Sequence, residues 1–208
     1  KEYDVTCLVR NGKEGNSKSK IIYGDLTDDI IDFKDSKFDC VFHLASHTPL
    51  EKNKKMLEKV NLEGTKKLFE QIKDKTKSII YISGLGVYGE TGDKIIDEKQ
   101  EYNPNTNFVK IRLDAEKYLK DNSSNNKIDF AVVHFGDVYG PNGLFYEMLI
   151  KRLQNKTFKM PAGGNYYKGF VHVDDAVGSM IAVFEQNSFG ESFIVADSQP
   201  VTFKEFSN

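Results

Sequence analysis

The sequence predicts an α/β fold built on a doubly wound, mostly parallel sheet. Short apolar runs alternate with longer amphipathic stretches along the 208 residues, the pattern of strands joined by helical crossovers. Two of the runs, DCVFHLAS and IIYIS, are nearly continuous in apolar residues, as strands buried on both faces are. With 39% hydrophobic residues the chain can bury one sizeable core and part of a second.

The elements follow in order. YDVTCLVR alternates Val5, Cys7 and Val9 and reads as a strand ending in a turn at Asn11-Gly12. A second short strand covers Ile21 to Tyr23, followed by GDLTD, and DCVFHLAS is the third. A helix is expected from about Glu51 to Asp74, with Met56, Leu57, Val60, Leu68 and Phe69 on one face. The fourth strand is Ser78 to Ile82. Residues 90–107 are polar and turn-rich, contain Pro104, and read as a loop. A helix from about Thr106 to Asp121 leads to the strand KIDFAVVHF and a turn at Gly140-Pro141-Asn142-Gly143. Tyr146 to Gln154 reads as helix and Phe170 to Val173 as extended. Asp174 is the expected N-cap of a helix carrying Val177, Met180, Ile181 and Phe184. Ser192 to Val195 is a last strand. Ligands of such sheets lie beyond the carboxyl ends of the strands, so the residues after Val9, Leu44, Ile82 and Phe135 carry the interest.

Composition narrows the function. The net charge is -2 and the 29 basic residues are dispersed among 31 acids, without a basic stripe, which argues against a nucleic-acid partner. No apolar run approaches the ~20 residues of a membrane span. The opening KEYDVTCLVR lacks the apolar middle of a secretory signal. Cys7 and Cys40 form no disulfide framework and read as buried small hydrophobes, which fits a reducing cytoplasm. His43 and His47 are four apart but have no third ligand, so no metal site is expected. Asp174-Asp175 reads as a cap and a first-turn acid rather than a catalytic carboxylate pair. Phe158, Tyr166, Tyr167 and Phe170 could stack on a base or sugar, or simply fill a core.

Gly84-Leu85-Gly86-Val87-Tyr88-Gly89 matches G-x-G-x-x-G by letter. A dinucleotide fingerprint needs a helix opening at the third glycine and an acid after the next strand. ETGDKIIDEKQEYNPN is a poor helix, and no strand arrives until Lys127. The stretch reads instead as a strand ending in a glycine-rich turn, with Val87 and Tyr88 packed on the core.

YGDLTD, VFHLAS, NLEGTKKLFE, IIYISGLGVYG, the AEKYL helix, DVYGPNG, GFVHVDDAV and GESFIVADSQPVT stand in that order along nearly the whole chain. Together they resemble the extended short-chain dehydrogenase/reductase group, the NAD-dependent epimerase/dehydratase family. The resemblance implies a Rossmann-type NAD(P)-binding domain over residues 1–139 and a partial, smaller C-terminal substrate-binding region over residues 140–208, interleaved with the last sheet strands. It also implies that the first strand and the glycine-rich loop lie upstream of Lys1 and that the substrate region continues past Phe206. This makes the chain an expected fragment.

Carried over residue by residue, the resemblance marks Arg10, Asp25, Leu26, Ala45, Ser46 and Arg112 for the cofactor. Arg10 ends the strand that meets the adenosine ribose. An arginine there suits the 2'-phosphate of NADP, where an acid would suit NAD, though a solvated turn arginine is an equal reading. Asp25 and Leu26 match the pair that touches adenine, Ala45 and Ser46 the small residues that let the cofactor pass, and Asn61 a brace of the strand ends. The catalytic positions are altered. The serine or threonine position falls on Gly84, with Ser83 one residue earlier and on the opposite face unless the turn shifts. In NFVKIRLDAEKYL the Tyr-x-x-x-Lys positions hold Phe108 and Arg112, so the usual proton relay is missing. Tyr102 and Tyr118 have no lysine four residues on. Ser83, His134 or a water held by Arg112 are the remaining proton donors, and for His134 a packed strand-end histidine is the competing reading. The implied partners are a small-molecule substrate, such as a nucleotide-sugar, and a second copy of the chain, packed through the helices around 51–74 and 108–119.

Overall fold

The computed structural model describes residues 2–10, 18–48, 50–92, 94–141, 143 and 145–207; the expected turn at Asn11-Gly12 and part of the Gly140–Gly143 turn lie outside them. Strands β1 (Thr6–Val9) and β2 (Lys20–Tyr23) form a parallel pair. The centre is a four-stranded parallel sheet of β3 (Val41–His43), β4 (Ser78–Gly84), β5 (Asp129–Phe135) and, several elements later in sequence, β9 (Ser192–Val195), in that spatial order. Among the described residues β1 makes no ladder with β3. Val5 and Leu44 stay 50% and 55% exposed, as apolar groups do where a sheet is interrupted.

Helices cover both faces of the central sheet, as a parallel sheet requires. The helix between β3 and β4 runs as α1 (Lys54–Leu57), a π-helical stretch Glu58–Gly64, and α2 (Thr65–Ile72). It is shorter than expected because Asn53 caps it, accepting from the backbone N–H of Lys55 at 3.0 Å. Gly64 lets the helix approach the strand ends, since a Cβ there would lie 2.9 Å from Leu26 Cβ. Helix α3 (Asn107–Asn125) begins behind the Thr106 cap, whose hydroxyl accepts from Val109 N–H at 3.3 Å. It outlasts its expected end by four residues, from Asp121 to Asn125. Asn122 and Asn126 each donate to the carbonyl four residues back at 2.8 Å, which sustains the polar last turn.

The alternation of the strands decides the layers. Tyr81 and Val132 pack with Phe69, Ile72, Ala115 and Leu119 on the face of α2 and α3. Ile80 and Val133 pack on the other face with Ala176, Met180 and Val183, which belong to α5 (Val173–Glu185). Each fully buried side chain of this kind contributes about 1.5–3 kcal/mol. The free edge of the sheet is covered by a carboxylate: Ile194 N–H donates to Glu98 Oε1 at 2.9 Å. Cys40 is half-buried and its thiol is pushed up to about 11, mainly by desolvation, so it behaves as a small hydrophobe.

The C-terminal third is built from short pieces, of which the sequence revealed one strand, read as extended over Phe170 to Val173, but not the short strands paired with it and around it. Strand β6 (Asp137–Tyr139) pairs in parallel with β8 (Phe170–His172), and β7 (Tyr167–Lys168) pairs antiparallel with β10 (Val201–Thr202), ahead of α6 (Phe203–Ser207). The expected helix at 146–154 is a π-turn, Tyr146–Ile150, followed by α4 (Lys151–Gln154). Phe158, Tyr166 and Phe170 fill a satellite core with Leu149, Phe203 and Phe206, where Phe170 and Phe206 stack at 3.9 Å. Tyr167 is 55% exposed and stands outside it. The N-cap of α5 is His172 and not Asp174: His172 Nδ1 accepts from Asp174 N–H at 3.3 Å, which places Asp174 and Asp175 in the first turn.

His43 offers a test of this core. Thr65 spends its hydroxyl proton on Asn61 O at 2.8 Å, so His43 Nε2, 2.8 Å from that hydroxyl, must be the donor. Burial, with the Arg112 charge adding to it, lowers the imidazole from 6.5 to about 4. The unfolded chain therefore takes up this proton first. Stability should be unaffected above pH 6.5 and fall by roughly 3 kcal/mol as pH drops from 6.5 to 4. Urea titrations across that window should show a shallower decline for His43→Gln than for the unaltered protein.

Candidate functional site

The carboxyl ends of β1, β2 and β3 open onto one cleft of about 370 Å³. Leu8, Val9 and Arg10 come from the first end, Gly24, Asp25 and Leu26 from the second, and Ala45, Ser46 and His47 from the third. Val60 closes it from the helix. Five of the positions marked by the sequence, Arg10, Asp25, Leu26, Ala45 and Ser46, thus share one wall system. The sixth, Arg112, reaches it through Ser46, whose hydroxyl accepts from Nη1 at 3.3 Å.

Each wall is fixed locally. Asp25 folds its carboxylate back on its own turn: Oδ1 accepts from the Thr27 backbone N–H and from the Thr27 hydroxyl, both at 2.8 Å. Those bonds, opposed by partial burial and helped by the Arg10 and His47 charges, hold the carboxyl below its usual range. The third wall is held from the helix. Asn61, 1% exposed, accepts from His47 N–H at 2.6 Å and donates to His47 O at 3.2 Å.

Arg112 sits where α3 crosses the ends of β3 and β4. Its guanidinium lies between the rings of Tyr81 and Phe108, 5.7 and 5.6 Å from their centroids, and it donates to Ile82 O as well as Ser46. Its Nε is buried without a partner among the described residues. Phe108 is an unreactive neighbour here, its ring serving as one face of that sandwich.

β4 runs in register through Ser83, opposite His134, to Gly84, opposite Phe135. Gly84 is ordinary extended backbone, so the glycine turn produces no shift. Ser83 accordingly faces α3 with Tyr81; it is 5% exposed, and its hydroxyl has no partner among the described residues. A Cβ on Gly84 would meet only Phe135 O, at 3.5 Å, so that position has room for a side chain. The next residues form a 3-10 turn, Leu85–Tyr88, rather than a helix, and Gly89 takes φ of +72°. A Cβ on Gly89 would lie 2.2 Å from Asn103 O. The third glycine of the G-x-G-x-x-G match therefore serves a tight crossing of chain and cradles no phosphate.

His134 is wholly buried, away from the cleft residues, and both its ring nitrogens are engaged. Tyr88 OH is 3.2 Å from Nδ1, Glu116 Oε2 is 3.1 Å from Nε2, and Tyr102 OH donates to Glu116 Oε1 at 3.0 Å. Burial, reinforced by the nearby carboxylates, pushes Tyr88 up to about 12, and the same causes raise Tyr102. Both phenols are therefore protonated, so Tyr88 can donate to Nδ1 of His134 while its Nε2–H donates to Glu116. A tyrosine acting as general base needs the opposite shift, so neither phenol replaces the one missing at Phe108. Sequence reasoning missed His47 in the cleft and Glu116 in the interior. His47 directly follows HLAS, and that adjacency was the available signal; nothing in the spacing marks Glu116 as buried.

The model of the NAD dependent epimerase/dehydratase family matches residues 1–196. The human dTDP-D-glucose 4,6-dehydratase is 24% identical over 203 residues, covering 91% of this chain and 58% of that protein. The uncharacterized protein y4nG of Sinorhizobium fredii is 27% identical over 157 residues, covering 74% of this chain and 40% of its own. The chain thus spans about half the length of these relatives. Among solved structures, the UDP-glucose 4-epimerase of Thermotoga maritima superposes with a TM-score of 0.82 at 19% identity, over 98% of this chain and 72% of that one. DesIV of Streptomyces venezuelae, a dTDP-glucose 4,6-dehydratase with NAD and TYD bound, gives 0.79 at 16%, over 92% and 62%. No group of three or more His, Cys, Asp or Glu side chains able to hold a metal occurs among the described residues.

Removing the Asn61 amide should unfasten the third wall. Asn61→Ala leaves the half-buried N–H and carbonyl of His47 unpaired, at a cost of about 1–3 kcal/mol in chemical denaturation. Asn61→Asp should recover part of this, because only the acceptor half of the pair survives.

Proposed function

The chain belongs to the NAD dependent epimerase/dehydratase family, and from that premise we propose that it binds NADP or NAD in the cleft at the ends of β1, β2 and β3. Residues 1–139 supply the nucleotide side, and residues 140–208 supply part of the binding region for a small substrate of the nucleotide-sugar class. One observation carries the reading: a single cleft gathers Arg10, Asp25, Leu26, Ala45 and Ser46, the positions that the family resemblance marks for the cofactor. Their chemistry fits a nucleotide. Asp25 offers a carboxylate to hydroxyl or amino donors, Ala45 and Ser46 allow close approach to the backbone, and Arg10 offers a planar cation to a phosphate. Arg10 favours NADP over NAD.

A bound nicotinamide would supply the hydride chemistry. The chain's own contribution is to position it. Arg112 fixes Ser46 against the end of β4 and offers a cation to a ribose hydroxyl or phosphate. Proton transfer is where the chain departs from the family pattern, because Phe108 has no hydroxyl and Gly84 no side chain. Ser83 and a water held at Arg112 Nε are the remaining groups on this side of the sheet. A second reading, favoured by Phe108 and Gly84, is a catalytically silent member that binds the cofactor as a sensor or structural subunit. A homodimer through residues 54–72 and α3 would bring together faces that carry Lys59, Glu63 and Glu70 with Lys110, Asp114 and Lys117, so its interface would be largely ionic.

The chain has no tryptophan, so emission of the reduced nicotinamides reports binding directly. NADPH should bind more tightly than NADH, and Arg10→Ala should erase most of that preference, roughly tenfold, with little change for NADH. Equal affinities that survive the substitution would remove Arg10 from the ribose site. Hydride exchange against a panel of nucleotide-sugars separates the two readings. Under the silent reading the unaltered protein binds without turnover, and the triple change Gly84→Ser, Phe108→Tyr, Arg112→Lys gains activity; turnover without substitution establishes the enzyme reading instead.

A further inference from the structure

His47 belongs to the same cleft, yet no reading so far gives its side chain a task. Its backbone is fastened by Asn61 at both N–H and carbonyl, so the residue is held in place without help from the ring. His47 lines the cleft, and its ring has no hydrogen-bond or ion-pair partner among the described residues. Arg10 lines the same cleft from the end of β1 and likewise has no such partner among the described residues. Asp25 lines the cleft as well, with two donors already on its Oδ1, and the charges of both Arg10 and His47 act on its carboxyl. Three successive strand ends thus present a guanidinium, a carboxylate and an imidazole to one space. A cleft that gathers an imidazole and a guanidinium, neither hydrogen-bonded to a neighbour among the described residues and one of them on a fastened backbone, suits an anion.

We propose that His47 is a specificity-determining residue of the cofactor cleft, which together with Arg10 forms a two-sided cradle for a phosphate of the bound nucleotide. The proposal rests on the reading of the cleft as an NAD(P) site. The shared chemistry is a phosphate oxygen accepting from an imidazole N–H. The 2'-phosphate of NADP and the pyrophosphate common to both cofactors are the two sources. Asp25 turns this arrangement toward a nucleotide, since a carboxylate beside the cradle repels a free anion but accepts from a ribose hydroxyl.

The test compares His47→Gln and His47→Lys with the unaltered protein, titrating NADPH and NADH by nicotinamide emission. Both substitutions leave the backbone contacts to Asn61 intact, and thermal melts check that they fold. His47→Gln should weaken binding roughly tenfold, the scale of one charge-assisted bond, while His47→Lys restores it to within about threefold. A loss confined to NADPH identifies the 2'-phosphate, and an equal loss for NADPH and NADH identifies the pyrophosphate; either supports the cradle. Unchanged affinity of folded His47→Gln for both nucleotides overturns the proposal and leaves the cofactor reading standing. Failure of the unaltered protein to bind either nucleotide overturns both.

Discussion

Asn61 lies on the helix between residues 54 and 72, almost wholly removed from water, and both ends of its amide engage the backbone of His47. Parallel sheets put their functional residues on the loops that leave the strand ends, where no ladder holds the backbone. A buried amide bonded at both ends supplies that missing constraint at the end of β3. The position of Ala45 and Ser46 follows from it, as does the direction of His47 and the contact that Arg112 makes across the sheet end. The carbonyl of Asn61 also fixes the Thr65 hydroxyl, and through it the tautomer of His43. A chain of four polar groups therefore runs from the core to the cleft with its donors and acceptors matched.

Charge is distributed unevenly around this frame. The cleft side holds Arg10, His47 and Arg112 around the single carboxylate of Asp25. The interior behind β5 holds the reverse, a Glu116 carboxylate held by the His134 imidazole and the Tyr102 phenol, with Tyr88 on the far side of the ring. Burying that carboxylate is tolerable because every partner donates to it or to its donor. The network joins α3, β5, the turn after β4 and the loop before α3, so it ties these elements together near the carboxyl ends of β4 and β5. Arg112 occupies the boundary between the two regions. Being protonated at any working pH, it provides a charge that stays constant.

Much of the fold was legible because parallel strands buried on both faces announce themselves as apolar runs. β9 was read to the residue and β5 nearly so; β3 was read long, since only Val41–His43 of DCVFHLAS is strand, and β4 short by the two residues Ser83 and Gly84, which look like turn residues but continue the ladder. The short strands β6, β7 and β10 escaped because two or three residues carry no period. His172 escaped as a cap because its role depends on which ring nitrogen is free, and no residue pattern encodes that. In the site, the cofactor positions were legible as a resemblance and came together in space. His134 illustrates the limit of such reading: its place at a strand end suggested chemistry, while its two occupied nitrogens and full burial become visible only once Tyr88 and Glu116 are placed beside it.

The π-helical stretch Glu58–Gly64 closes its turns over one residue more than an α-helix does. Such a stretch sets a phase. Asn61 and Thr65 point inward together with Leu68, Phe69 and Ile72 because the widened turns rotate the two halves of the helix relative to one another. Lineages that lose or gain a single codon within these seven positions would keep a helix of nearly the same length, yet its polar pair would swing off the strand ends while its apolar stripe stayed seated. In this segment, indels rather than substitutions are the changes that would part the scaffold from its cleft.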